Sequence, residues 1–246
     1  MYKALIFDLD GTAIPNKPDG MPSETLIRVV TQLRKSMKVC AATGRTWLNS
    51  KAVIRKLMLH DPCIISGGTQ IINPADEKIL WEKDMEQPLV ELTMDVARHF
   101  PYKVIFGNDD ASMPAKNKVV RGPERIIYIE SVSKEDATTM LKLLRQIPRI
   151  TAYEVKSWTL GYFDIHVTHS EATKSHALQI LLKMLNLRKE EVVAAGDSNN
   201  DLPLFEMSGY KIAMENGSSE MKTSADMIAQ DVSNDGLAVA LKKLFF

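Results

Sequence analysis

The residues whose types and spacing could do chemistry stand in Ala4-Leu5-Ile6-Phe7-Asp8-Leu9-Asp10-Gly11-Thr12, where a run patterned as a buried strand ends in two acids that no strand needs for folding. Side chains alternate along an extended chain, so Asp8 and Asp10 share a side while Leu9 points away. Convergent carboxylates repel, and the arrangement is tolerable mainly where a hard cation such as Mg²⁺, which prefers oxygen ligands, sits between them. Gly11 lets the chain turn sharply out of the strand. A type I′ hairpin competes as a reading of Asp10-Gly11 between apolar runs. It leaves Asp8 without a partner, and ionised groups are almost never buried unpaired.

Three further polar clusters interrupt the apolar pattern. In Ala42-Thr43-Gly44-Arg45 a hydroxyl and free backbone N–H groups at a helix start suit a phosphate oxygen, although Thr before Gly also serves as a plain cap. Lys174 falls in the first turn of a helix, where a cation opposes the helix dipole unless its ammonium reaches an anion. An ordinary solvated lysine is the competing reading. Gly196-Asp197-Ser198-Asn199-Asn200-Asp201 follows the apolar run Val192 to Ala195 and is rich in oxygen ligands. A calcium loop would need Gly at its sixth place and Glu at its twelfth, where this chain has Leu202 and Ser208, so that reading fails. An Asn/Asp turn of purely local origin stays open. No Gly-x-Gly and no Gly-Lys-Ser/Thr occurs, which removes the dinucleotide fingerprint and the P-loop.

The elements that must position these residues alternate. Helices are expected over about Ser23–Lys35 and Trp47–Leu59, between strands at Ala4–Asp8, Met37–Ala42 and Pro62–Ser66, the last closed by Gly67-Gly68. Such a rhythm with short connections gives a doubly wound parallel α/β sheet, whose sites lie at strand C-terminal ends. Near residue 82 the rhythm changes. A helix (Gln87–Phe100), strands (Tyr102–Phe106, Arg125–Glu130), a helix (Lys134–Gln146) and a strand pair (Ile150–Trp158, Gly161–Thr168) predict an α+β insert at 83–168. The α/β rhythm resumes from Thr173, so the core is expected at 1–82 and 169–246. The polar stretch Gly107 to Gly122 reads as a loop.

Composition bounds the partners. Of 246 residues, 31 are Lys or Arg and 31 Asp or Glu, so no basic field for nucleic acid or anionic membrane is evident. Cys40 and Cys63 both sit in apolar runs, which reads as buried thiols in a reducing compartment. A strand begins within three residues of the N-terminus and no apolar run approaches membrane-spanning length, so a cytoplasmic protein is expected.

Taken together and in order, Asp8-Leu9-Asp10-Gly11-Thr12, Thr43-Gly44, Lys174 and Gly196-Asp197 through Asn200-Asp201 resemble the four motifs of the haloacid dehalogenase (HAD) superfamily. The α+β insert before the lysine resembles the type C2 cap of the Cof-like sugar phosphatases. Ser66-Gly67-Gly68 departs from the Asn-Gly-Ala usual in relatives, and Thr168-His169-Ser170-Glu171-Ala172 lacks the common Gly. The resemblance implies a Rossmann-like core with an inserted cap and a Mg²⁺-dependent phosphatase of small phosphorylated metabolites, in particular sugar phosphates. It also implies roles. Asp8 is the nucleophile that becomes an aspartyl-phosphate, and Asp10 the general acid and then base. Mg²⁺ is held by Asp8, the backbone carbonyl of Asp10 and Asp197, with Asp201 orienting its waters, while Thr43, Gly44, Lys174 and Asn200 hold the phosphoryl oxygens. A phosphomutase of the same fold and a phosphate-sensing protein without turnover are the alternatives. In the cap, Tyr162, Asp164, His166 and Thr168 fall on one face of a strand, expected to meet substrate hydroxyls rather than bulk water.

Overall fold

β1 (Ala4–Phe7) is buried along its whole length, and its side chains divide between two apolar clusters: Leu5 and Phe7 on one side, Ala4 and Ile6 on the other. A strand covered on both faces has no polar alternation to display, which is why it reads as a continuous apolar run. The computed structural model describes residues 2–107 and 113–246. The chain forms two compact units, one of Met1–Trp81 with Lys174–Phe246 and the other of Glu82–Thr173.

In the first unit α1 (Glu24–Leu33), capped by the Ser23 hydroxyl, leads to β2 (Lys38–Ala41), α2 (Trp47–Lys56) and β3 (Cys63–Ile65). Two strands that the sequence pattern leaves unassigned follow, β4 (Gln70–Asn73) and β5 (Lys78–Glu82). They form a three-stranded sheet with β3. The mostly exposed β5 carries no buried pattern by which it could be recognised.

The second unit holds α3 (Gln87–Ala97), β6 (Lys103–Phe106), β7 (Met113–Pro114), β8 (Ile126–Val132), α4 (Lys134–Leu144), β9 (Ile150–Lys156) and β10 (Phe163–His169). Its sheet runs β7-β6-β8-β10-β9 with antiparallel neighbours. The stretch expected as a loop at Gly107 to Gly122 lies partly outside the described residues, and its described part includes β7 and a short turn at Ala115–Asn117. Ile165 and Val167 of β10 pack in one core with Val90 and Met94 of α3 and Met140 and Leu144 of α4. His166 therefore lies on the opposite face, in register with Tyr128 and Tyr153 on the neighbouring strands. Its ring meets theirs edge-on at 4.7 and 5.5 Å between centroids. Asp164 serves the sheet itself. Its Oδ1 accepts the Ser131 N–H at 2.8 Å, where the β8–β10 register shifts and Ser131 takes a φ of 52°.

The chain then returns to the first unit with α5 (Lys174–Met184), β11 (Val192–Gly196), α6 (Leu202–Glu206), β12 (Tyr210–Met214), α7 (Ser219–Thr223), β13 (Met227–Ala229) and α8 (Gly236–Phe245). The main sheet is parallel, in the order β13-β12-β11-β1-β2. β1 lies between β11 and β2. The loops after those three strands are thereby gathered at one sheet end, as parallel doubly wound sheets gather their sites. Cys40 and Cys63 are free, buried thiols in opposite apolar clusters. Burial pushes the Cys63 thiol up to about 12.

Candidate active site

β1 ends at Phe7, and Asp8 follows with its N–H donated to Ala195 O at 3.0 Å. Asp8 is 6% exposed, and its carboxylate lies with those of Asp197 and Asp201, ligand atoms of the three within 4.8 Å of one another. Neighbouring backbone must come very close for this. A Cβ on Gly11, whose φ is +75°, would stand 2.4 Å from Asp197 Oδ2, and one on Gly196 would stand 2.6 Å from Asp201 Cβ. Thus both motif glycines are required by close approach, and Gly11 by its left-handed backbone as well.

Lys174 opens α5, and its ammonium is buried between two of these acids, 2.7 Å from Asp8 Oδ1 and 2.5 Å from Asp201 Oδ1. The anion expected to excuse a cation at a helix start is therefore supplied by the protein itself. Burial opposes the charge on Lys174, yet the Asp201 and Asp8 carboxylates outweigh it and raise its pKa. For Asp8 the balance goes the other way. Desolvation comes first, then Asp201, with Asp197 and Asp10 adding to it, and together they raise its pKa well above the carboxylate range despite Lys174.

Asp201 also organises the loop after β11. Its Oδ2 accepts the N–H groups of Asp197 at 3.3 Å and Ser198 at 3.2 Å. Thr12 Oγ1 donates to Asp197 Oδ1 at 3.3 Å. Asn200 is turned locally, its amide oxygen accepting the Ser198 hydroxyl. Thr43 is fully buried beyond β2, where its Oγ1 accepts the Arg45 N–H at 3.1 Å. Gly44, between them, leads toward α2, whose N-cap Thr46 makes no side-chain cap bond. Ser66 and Gly67 after β3 dock on this loop through their N–H groups to Arg45 O and Thr43 O, at 2.8 and 3.1 Å.

Asp10 stands outside the trio. Its two oxygens accept from Arg45, Oδ2 from Nε at 2.7 Å and Oδ1 from Nη2 at 2.5 Å. The Arg45 side chain has no role assigned by the sequence pattern, because it stands four residues past the end of β2, whereas Asp8 directly follows β1. Asn216 was also missed. Its Nδ2 donates to Gly11 O at 2.8 Å and its Oδ1 accepts the Val232 N–H at 3.0 Å, which ties the Asp10-Gly11-Thr12 turn to the loop beyond β12. Asn-Gly after a strand looks like any turn, so nothing in the sequence marked it.

Three convergent carboxylates countered by one ammonium leave a buried excess of negative charge. A donor set made wholly of hard oxygen fits Mg²⁺, and a divalent cation would offset that excess. A parallel sheet with acids at the ends of β1 and β11 and a lysine at the start of α5 defines a HAD-type core. The family model for haloacid dehalogenase-like hydrolases matches residues 5–135 and 116–241. The chain belongs to that family, in its Cof-like branch, and is an enzyme of the phosphatase class. It is 26% identical over 253 residues to phosphoglycolate phosphatase 1 of Saccharolobus solfataricus, covering 99% of this chain and 96% of the relative. It is 25% identical to the 5-amino-6-(5-phospho-D-ribitylamino)uracil phosphatase YitU of Bacillus subtilis, covering 98% and 97%. The solved structure of the HAD subclass IIB sugar phosphatase BT4131 superposes with a TM-score of 0.78 at 19% identity, over 98% of both chains, a likeness of fold. Among the described residues, no helix is long and apolar enough to cross a membrane.

Proposed function

We propose that the chain is a Mg²⁺-dependent phosphomonoester phosphatase of a small phosphorylated metabolite, a sugar phosphate in particular, working through an aspartyl-phosphate. The observation that carries this is the buried trio Asp8, Asp197 and Asp201 with the Lys174 ammonium against it. Mg²⁺, held by Asp8, Asp197 and the Asp10 carbonyl with Asp201 behind them, would supply charge that lets a phosphate dianion approach a carboxylate. Asp8 attacks phosphorus through a carboxylate oxygen, and the ester P–O bond breaks. The carboxylic acid of Asp10 gives its proton to the leaving oxygen. Asp10, now a carboxylate, takes a proton from a water that attacks phosphorus, and the bond to Asp8 breaks to give phosphate. Lys174, Thr43, the Gly44 N–H and Asn200 hold the phosphoryl oxygens through the transfer. Asn200 must turn from Ser198 to do so. The insert is read as a cap. The names of the relatives support a small metabolite as substrate. A panel of phosphorylated metabolites assayed for phosphate release, with Mg²⁺ and with chelator, tests this. Release that needs Mg²⁺ is expected, and release undiminished by chelator would overturn the metal assignment.

A further inference from the structure

Arg45 is a charged side chain that the chemistry above leaves without a role, and it is held more completely than a structural salt bridge requires. Its side chain is 5% exposed. Two of its five N–H groups go to the two oxygens of Asp10, at 2.7 and 2.5 Å. The other three go to main-chain carbonyls: Nη1 to Pro18 O and Asn49 O, both at 3.2 Å, and Nη2 to Lys17 O at 2.8 Å. A carboxylate on a turn has free side-chain torsions, and one contact leaves it able to rotate. A planar fork bonded to both oxygens fixes the plane of the carboxylate, and the three carbonyls fix the fork. The Asp10 side chain remains 22% exposed, so the pairing leaves an edge open to a reacting group.

We infer that Arg45 is the positioning residue for Asp10, presenting the acid/base carboxylate in the orientation in which its proton meets the leaving oxygen. The inference rests on the reading of Asp10 as the acid and base. It extends to the turn after β1, because the guanidinium that orients Asp10 also binds the carbonyls of Lys17 and Pro18, so the setting of that turn and of the carboxylate are one arrangement. Lysine cannot replace it, since a compact ammonium offers no fork.

Two aryl esters separate this role from a merely structural one. Phenyl phosphate releases a basic phenolate that needs a proton, whereas p-nitrophenyl phosphate releases a phenolate that departs without one. Values of kcat/KM, which report the steps through phosphoryl transfer to Asp8, are compared for Arg45→Met, Arg45→Lys, Asp10→Asn and the Asp10→Asn/Arg45→Met double variant. General acid catalysis contributes about 10²- to 10⁴-fold, so both Arg45 variants are expected to lose about tenfold or more on phenyl phosphate beyond their loss on p-nitrophenyl phosphate. The double variant is expected to lose no more on phenyl phosphate than Asp10→Asn alone, as groups acting through one another do. Hydrolysis of p-nitrophenyl phosphate by the same preparation reports that the sites are folded. Equal losses on both esters in the Arg45 variants, with the selective loss kept in Asp10→Asn, would overturn the inference and leave the Asp10 reading standing. Absence of a selective loss in Asp10→Asn would overturn the Asp10 reading itself.

Discussion

Replacing Asp8 by Asn should abolish turnover and, in metal-free protein, raise stability, the reverse of the usual result of removing a buried charge that has a partner. Asp8 has a carboxylate oxygen within 4.8 Å of oxygens of Asp197 and Asp201, and at an effective dielectric near 20 each pair repels by roughly 3 kcal/mol. The Lys174 ammonium at 2.7 Å offsets this by about 6 kcal/mol on the same basis, so the Coulomb contributions nearly cancel. What is left is the cost of burying an ionised carboxylate, several kcal/mol, which an amide escapes in large part. A gain of about 1 to 3 kcal/mol is expected, or roughly 3 to 10 °C in the melting temperature of the first unit. The sign agrees with the raised pKa of Asp8. A carboxyl whose folded pKa is raised contributes stability that is present below its unfolded value near 4 and is lost as pH rises through the folded value. Metal-free wild-type protein should accordingly gain stability as pH is lowered from 7, and Asp8→Asn should gain less. With saturating Mg²⁺ the order should invert, because wild-type protein gains binding free energy that the amide variant largely forgoes. Thermal unfolding with chelator and with MgCl₂, at several pH values, measures all of this. A melting temperature lowered by Asp8→Asn in chelator would refute the charge balance, and an order unchanged by Mg²⁺ would refute the ligand role.

Asp10→Asn should lower kcat by about 10²- to 10⁴-fold with KM nearly unchanged, and a change in KM alone would make Asp10 a binding group. Gly11→Ala would put a Cβ 2.4 Å from Asp197 Oδ2 at a φ of +75°, so Asp197 must shift. The strain should cost about 1 to 2 kcal/mol, and the Mg²⁺ concentration for half-maximal activity should rise by about 10- to 100-fold, measured by titration. Glu191 is held down to about 2, first by its bond to Lys3 and then by the Arg188 N–H. Its contribution is present above the unfolded value near 4 and fades as pH falls toward 2, so Glu191→Gln should flatten the fall in denaturation midpoint across that window.

The sequence by itself determined the α/β core and two of its acids. The parallel strands are buried on both faces, so their apolar runs are unbroken and any charge beside them stands out; Asp8 and Asp197 were legible for that reason. The order of motifs supplied Lys174, although its partner remained open, because a lysine at a helix start has the same local signature whether solvated or buried. Only the tertiary structure decided that its ammonium lies against Asp8 and Asp201, 166 and 27 residues away. Arg45 and Asn216 likewise owe their roles to contacts across 35 and 205 residues, which no local spacing encodes. The polar face of β10 divides in the same way. Alternation put Asp164 and His166 on one side, but the register shift that commits Asp164 to the Ser131 N–H comes from pairing with β8. Period-two patterning fixes which side a residue faces, and what it meets there is set by which strands and loops the fold brings alongside.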